Sequence, residues 1–276
     1  MNIRWQLFFL LGVACAAMEV GVKAAVKTSQ PSEPQAAFSW ASHIDAQVDT
    51  RVAALITNKP RNHSFRADYG EILKLGPKAI PSLIPIAESE TVDFKKRWVA
   101  LMAAADLFAS VRMKPGYEEW QRGFYETLGR FFKHPFSLIR TAAVKAVSKC
   151  GDSRFLPQLH LLLRDPTIVV RDEVVRTLAV LKDKRSLAEL ARALHSEQNY
   201  IRGRGLYLRK NILQSIALIG AAEATPVLME IIKRKDSELT AESVRLLGLV
   251  NGDSTLTTEA AWLEWWEKKT SKRAIQ

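Results

Sequence analysis

The chain has 276 residues and a formal net charge of +11, with 40 Lys and Arg against 29 Asp and Glu. Hydrophobic residues make up 47% and charged residues 25%, a balance that excludes a disordered or low-complexity protein. Two cysteines, Cys15 and Cys150, exclude a disulfide framework.

The amino terminus reads as an address. Arg4 supplies a positive charge, and Trp5 to Ala17 is apolar apart from Gln6. Small residues follow at Ala14-Cys15-Ala16 and Val22-Lys23-Ala24. This is the layout of a secretory signal peptide over residues 1–24, cut near Ala16 or Ala24. The apolar run is too short for a retained membrane span. Lipoprotein processing at Cys15 is the other option, but a lipobox wants Leu three residues earlier, where Gly12 stands. The expected location is exported, in a periplasm. Cleavage would remove Arg4, Lys23 and Glu19, lower the net charge by one and leave Cys150 alone. Residues 25–37 hold Lys, Thr, Ser, Gln, Glu and two prolines with no apolar period, and read as a flexible linker.

The folded part is expected over 38–276. Phe38 to Ile56 places Ile44, Val48, Val52 and Leu55 on one helical face, as an N-terminal cap over 38–57. Asn62-His63-Ser64, a formal glycosylation sequon, reads as loop polarity. Phe65–Leu75 and Ala79–Ala87 form a first helical pair, with Gly76-Pro77 as its turn. Phe94–Val111 and Tyr117–Phe132 form the next. In the latter Tyr117, Trp120, Phe124 and Leu128 fall at helical spacing, a stripe that suits core rather than a ligand box.

From Phe136 to Asp253 the chain repeats itself with steps of 31 and then 38 residues. Ile139, Val170 and Leu208 match; so do Ala143, Val174 and Ile212, then Val147, Leu178 and Ile216. A second helix follows in each copy, carried by Leu159, Leu190 and Leu228 and by Leu163, Leu194 and Ile232. Gly151, Gly220 and Gly252 are placed to end the first helices in the left-handed conformation. Paired helices at this period mean a solenoid, because one pair cannot bury its apolar stripe alone.

The strings DPTIVVRDEVVRTLAVLKD and HPFSLIRTAAVKAVSKCGD resemble the short bacterial HEAT-like repeats of the phycobilisome-lyase type. Those have an Asp-Pro turn, an Arg six residues after the Asp, and an apolar helix ending in Gly-Asp. Asp165, Pro166 and Arg171 match fully; His134, Pro135 and Arg140 match except for the Asp; Arg209 keeps only the Arg. The resemblance spans 65–253 and implies an all-α fold, a right-handed α-solenoid of about five to six stacked helical hairpins. It admits scaffolds and a few enzymes alike. The family includes bilin lyases, and HEAT-like DNA glycosylases also exist; both act inside the cell, and their functional residues find no matching positions here.

The longer third step adds seven residues, Asn199–Gly205, expected as a loop on one edge. Tyr200, Arg202 and Arg204 there are candidates to hold a phosphate or carboxylate. Arg97, Arg140, Arg171 and Arg209 form a column at the starts of first helices. That column either binds an anionic partner or bonds locally across the turns. Near the end, Trp262, Trp265 and Trp266 suit a C-terminal capping helix over 255–269 rather than a carbohydrate platform.

No metalloprotease, thiol-redox, nucleophile-elbow, phosphate-loop or dinucleotide motif is present, the histidines lack ligand spacing, and no cofactor or metal site is expected. The expected inner face, with Gln158, Leu161, Glu189, Arg192, Val227 and Glu230, is mixed rather than a basic groove, so no nucleic-acid partner is expected. The sequence therefore reads as an exported, non-enzymatic interaction scaffold for a protein or peptide. An enzyme on the same scaffold, or a basic binder of an anionic envelope surface through weak charge attraction, is the alternative.

Overall fold

In the computed structural model residues 38–273 are described. The expected leader at 1–24, with Cys15, and the linker at 25–37 lie outside the described residues. The described residues form thirteen α-helices, one π turn, short 3-10 turns and one two-stranded ribbon. The fold is an all-α solenoid.

The N-terminal cap is broken where a single helix was expected. A 3-10 turn at Trp40–His43 ends at Ile44, whose backbone is extended. Asp45 then caps a new helix, α1 (Ala46–Val52), accepting from the amides of Gln47 at 3.0 Å and Val48 at 3.1 Å. Asp prefers this capping position to a helix interior. A π turn at 53–57 follows. The break turns Ile44 outward and buries Trp40, Val52 and Ile56 instead.

Six helical pairs come next. They are α2 (Asp68–Lys74) with α3 (Ile80–Glu88), α4 (Phe94–Ala109) with α5 (Glu118–Phe131), and α6 (Ser137–Cys150) with α7 (Leu156–Leu162). The other three are α8 (Ile168–Leu181) with α9 (Leu187–Leu194), α10 (Tyr207–Ile219) with α11 (Ala221–Lys233), and α12 (Thr240–Asn251) with α13 (Glu259–Arg273). The first helices form a continuous row: α4 packs on α6, α6 on α8, α8 on α10 and α10 on α12. The repeat columns are their seam. Ala143, Val174 and Ile212 are fully buried, as are Val144, Val175 and Leu213. They belong to one continuous buried cluster along the stack.

The helix ends follow two chemistries. Gly151 and Gly252 are left-handed, with φ of 61° and 67°. Gly220 is not: its backbone is extended, and it is the single residue joining α10 to α11. At the position equivalent to Gly151 the chain has Lys182, which adopts the same left-handed conformation at φ 51°.

The C-terminal helix starts at Glu259, later than the spacing suggested, because Asp253 and Thr258 organise the preceding turn. Asp253 accepts from the Thr255 amide at 2.9 Å, and Thr258 Oγ1 from the Ala261 amide at 3.2 Å. Trp262 is fully buried, its indole N–H donating to the Leu256 carbonyl at 2.8 Å. Trp265 and Trp266 are half-buried, and Glu264, Glu267 and Lys268 face solvent.

Candidate functional site

The inter-repeat turns are built alike. A side chain before the Pro, or at its equivalent, accepts the amide two residues on: His134 Nδ1 from Phe136 at 3.1 Å, Asp165 from Thr167 at 2.8 Å, Asp236 from Glu238 at 3.2 Å. These are Asx-type turns, with a histidine nitrogen standing in for the carboxylate in the first. The Asp165 turn offers carbonyls to the arginine of its own repeat and a carboxylate to the arginine of the repeat before it.

Arg140 thus donates to the carbonyls of His134 at 2.8 Å and Pro135 at 2.9 Å. Its other donors grip the Asp165 carboxylate at 2.7 and 2.9 Å, in the bidentate geometry that suits a guanidinium. Arg171 donates to the Asp165 carbonyl at 2.7 Å, then across to Asn199 Oδ1 at 3.1 Å and the Gln198 carbonyl at 2.9 Å. Arg209 donates to the Leu194 carbonyl at 3.2 Å and reaches Glu238 at 3.0 Å and Asp236. Arg97 donates to the Ala87 carbonyl at 3.0 Å. The acidic position of the next turn is His134 there, so Arg97 has no carboxylate to cross to.

The ionisation of the column follows its partners. The hydrogen bonds it donates to Asp165 raise Arg140 above the ordinary guanidinium value. Arg171 is lowered, because it is desolvated by burial and its cross-repeat acceptors are neutral. From Arg140 to Arg209 the arginine column is therefore a ladder that ties one turn to the next, with its donors directed into the protein.

The seven extra residues form a ribbon rather than a loop. Tyr200 pairs with Gly205 and Ile201 with Arg204. Alternation along the strands puts Tyr200 inward, its ring 4.4 Å from the Arg209 guanidinium. A Cβ at Gly205 would require the Glu238 carboxylate and the Arg209 side chain to shift. The Gly205 amide donates to Glu238 at 2.9 Å. The structure thus brings Tyr200 and Arg209 together. Arg202 and Arg204 are exposed, and their side chains make no hydrogen bond or ion pair among the described residues.

The face of second helices carries two depressions on either side of α7. Between α5 and α7 lies an open groove of about 580 Å³, lined by Glu126, Gly129, Arg130, Lys133, Leu161 and Leu162. Leu161 is 75% exposed on its wall, and Gly129 leaves open space where a side chain would stand. Between α7 and α9 lies a smaller, polar pocket of about 220 Å³, with His160, Arg164, Glu189 and Arg192. His160 Nε2 is 3.0 Å from Ser186 Oγ. Ser186 is fully buried, so this pair closes a turn and presents no nucleophile. Burial lowers the His160 pKa, keeping the ring neutral. Burial likewise pushes the Cys150 thiol up to about 12. Among the described residues no group of three His, Cys, Asp or Glu is placed to hold a metal ion, and no helix is long and apolar enough to cross a membrane.

Leu161 was legible in the sequence as an outward residue of a second helix; the groove beside it was not. The available signal was Gly129, since a glycine inside a helix is unfavourable unless space or close approach requires it.

Residues 125–207 match the family model for HEAT repeats. The match runs from within α5, through two complete pairs, to the start of α10. None of the curated proteins matches the chain. Residues 125–207 therefore carry HEAT-like repeats, and the paired helices of the other described residues continue the same stack.

Proposed function

We propose that the chain is an exported, non-enzymatic scaffold that holds a protein or peptide partner on its second-helix face. The observation that carries this reading is the α5/α7 groove. It is mostly apolar in lining, open along its length, and offers Leu161 as an exposed anchor beside the gap left by Gly129. An apolar side chain from a partner segment fits that gap, and Arg130 and Lys133 at its rim suit carbonyls or a carboxylate of the same segment. Polar groups elsewhere on the chain support a scaffold, because the ladder arginines and the His160–Ser186 pair serve turns. The export part of the reading rests on the charged-then-apolar start of the sequence.

Peptide selection on the full chain tests the binding reading. Selected peptides should share an apolar anchor, and Leu161→Asp or Gly129→Leu should weaken them by more than about thirtyfold, the loss of a central anchor worth about 2 kcal/mol. Peptides that bind both variants as tightly as the parent would place the site elsewhere. Amino-terminal sequencing of the protein from fractionated cells tests export; an intact Met1 in the cytosol contradicts it.

A further inference from the structure

We propose that the edge of the stack formed by the inter-repeat turns docks on an anionic phospholipid bilayer. This surface is separate from the α5/α7 groove, and the inference does not rest on partner binding there.

The arginine ladder sets these turns side by side, since Arg140, Arg171 and Arg209 each bond their own turn and the next. Residues at equivalent positions therefore fall in rows along the edge. One row is apolar: Leu138, Val169 and Tyr207 occupy the first turns of α6, α8 and α10, and all three are exposed. A row repeated in three successive units is not a scatter of single exposed residues.

Cations lie beside it. Arg202 and Arg204 stand on the connection after α9 and Lys235 on the connection after α11. None of these three makes an ion pair among the described residues. The counter-charges of the edge are already engaged: Asp165 by Arg140, and Asp236 and Glu238 by Arg209. Glu197 is left as an acidic residue on the same edge.

The ribbon brings a cation and an apolar tip together. Tyr200 and Gly205 face the protein, so their neighbours Ile201 and Arg204, paired across the strands, face out together. The turn between them has φ of 51° at Arg202 and 76° at Gly203. Such a turn favours Asn-Gly, and a left-handed arginine carries a steric penalty.

Cations beside exposed apolar tips match the bilayer interface, where phosphates meet acyl chains. The tips stand on turns rather than around a cleft. A bilayer needs no complementary relief, whereas a protein partner needs a packed, desolvated centre.

The test uses the full chain and flotation with vesicles of phosphatidylcholine alone or mixed with phosphatidylglycerol. The parent should bind the mixed vesicles, and less at high salt. R202Q/R204Q should weaken that binding by roughly twentyfold or more, taking about fivefold for each cation at the surface. Ile201→Ser should weaken it about fivefold, and Leu161→Asp on the other face should leave it unchanged. Any affinity carried by residues 1–37 is common to all variants, so the differences report on this edge. Absence of parent binding to the mixed vesicles, or equal binding by R202Q/R204Q, overturns the proposal. That includes the outcome in which the arginine variant loses binding only to an acidic polypeptide, which gives the edge to a protein partner.

Discussion

Asp165→Ala is the sharpest perturbation of the ladder. The Asp165 side chain is 3% exposed and that of Arg140 11%, so the pair is largely out of water. Truncation removes both bonds to the Arg140 guanidinium, at 2.7 and 2.9 Å, and strands a cation in a site it cannot leave without moving the turn. It also frees the Thr167 amide, which loses an acceptor at 2.8 Å. Breaking a buried pair from one side costs about 3–5 kcal/mol. The residual exposure of Arg140 places this case near the lower end, about 3 kcal/mol. Removing both partners is much milder: Arg140→Met with Asp165→Ala should recover about half of the loss, since no uncompensated charge remains. Urea unfolding followed by circular dichroism and tryptophan fluorescence measures all three proteins. A loss below about 1 kcal/mol for Asp165→Ala, as for an exposed pair, would refute the reasoning.

Four further outcomes are expected. Gly123→Ala puts a Cβ into the ring of Phe38 and should cost about 1–3 kcal/mol by overpacking, read as a lower melting temperature. Lys182→Gly relieves a left-handed lysine at φ 51° and should stabilise by about 0.5 kcal/mol, a small gain because glycine loses more entropy on folding. Glu242, hydrogen-bonded by Arg245 and Gln214, is held down to about 2 from an ordinary 4.5. Its folded value lies below its unfolded one, so its contribution is full above pH 4.5 and disappears as the pH falls towards 2. Arg245 is half in solvent, which limits the effect to about 1 kcal/mol; Glu242→Gln should remove that part of the acid dependence in urea midpoints. Finally, Cys150 should resist iodoacetamide in the native protein and react once unfolded, as mass spectrometry of its peptide reports.

How much of the molecule was legible in the sequence depends on the periodicity each part leaves behind. The seam was readable because Ala143, Val174 and Ile212 must recur wherever one first helix meets the next. The arginine column was readable as a column, but its acceptors were not. Asn199 and Asp236 lie 28 and 27 residues beyond the arginines they serve, and only the stacking of turns brings them together. The ribbon at Tyr200–Gly205 left too short an alternation to register as strands. Its inward face is defined by Arg209 and Glu238, which sequence order places elsewhere. Gly220 misled for a local reason: it sits where a left-handed residue is usual, but the next helix begins at once and takes it extended. The α5/α7 groove depends on a missing side chain at Gly129, and absence of bulk has no period.

Nearest-neighbour stacking is tested most directly by hydrogen–deuterium exchange on Val175→Ala, a fully buried seam residue of α8. Shared filling of the seam predicts faster exchange in α8 and in both flanking helices, α6 and α10, with α2 and α3 unchanged. Faster exchange confined to α8, or spread evenly over the whole chain, would contradict it.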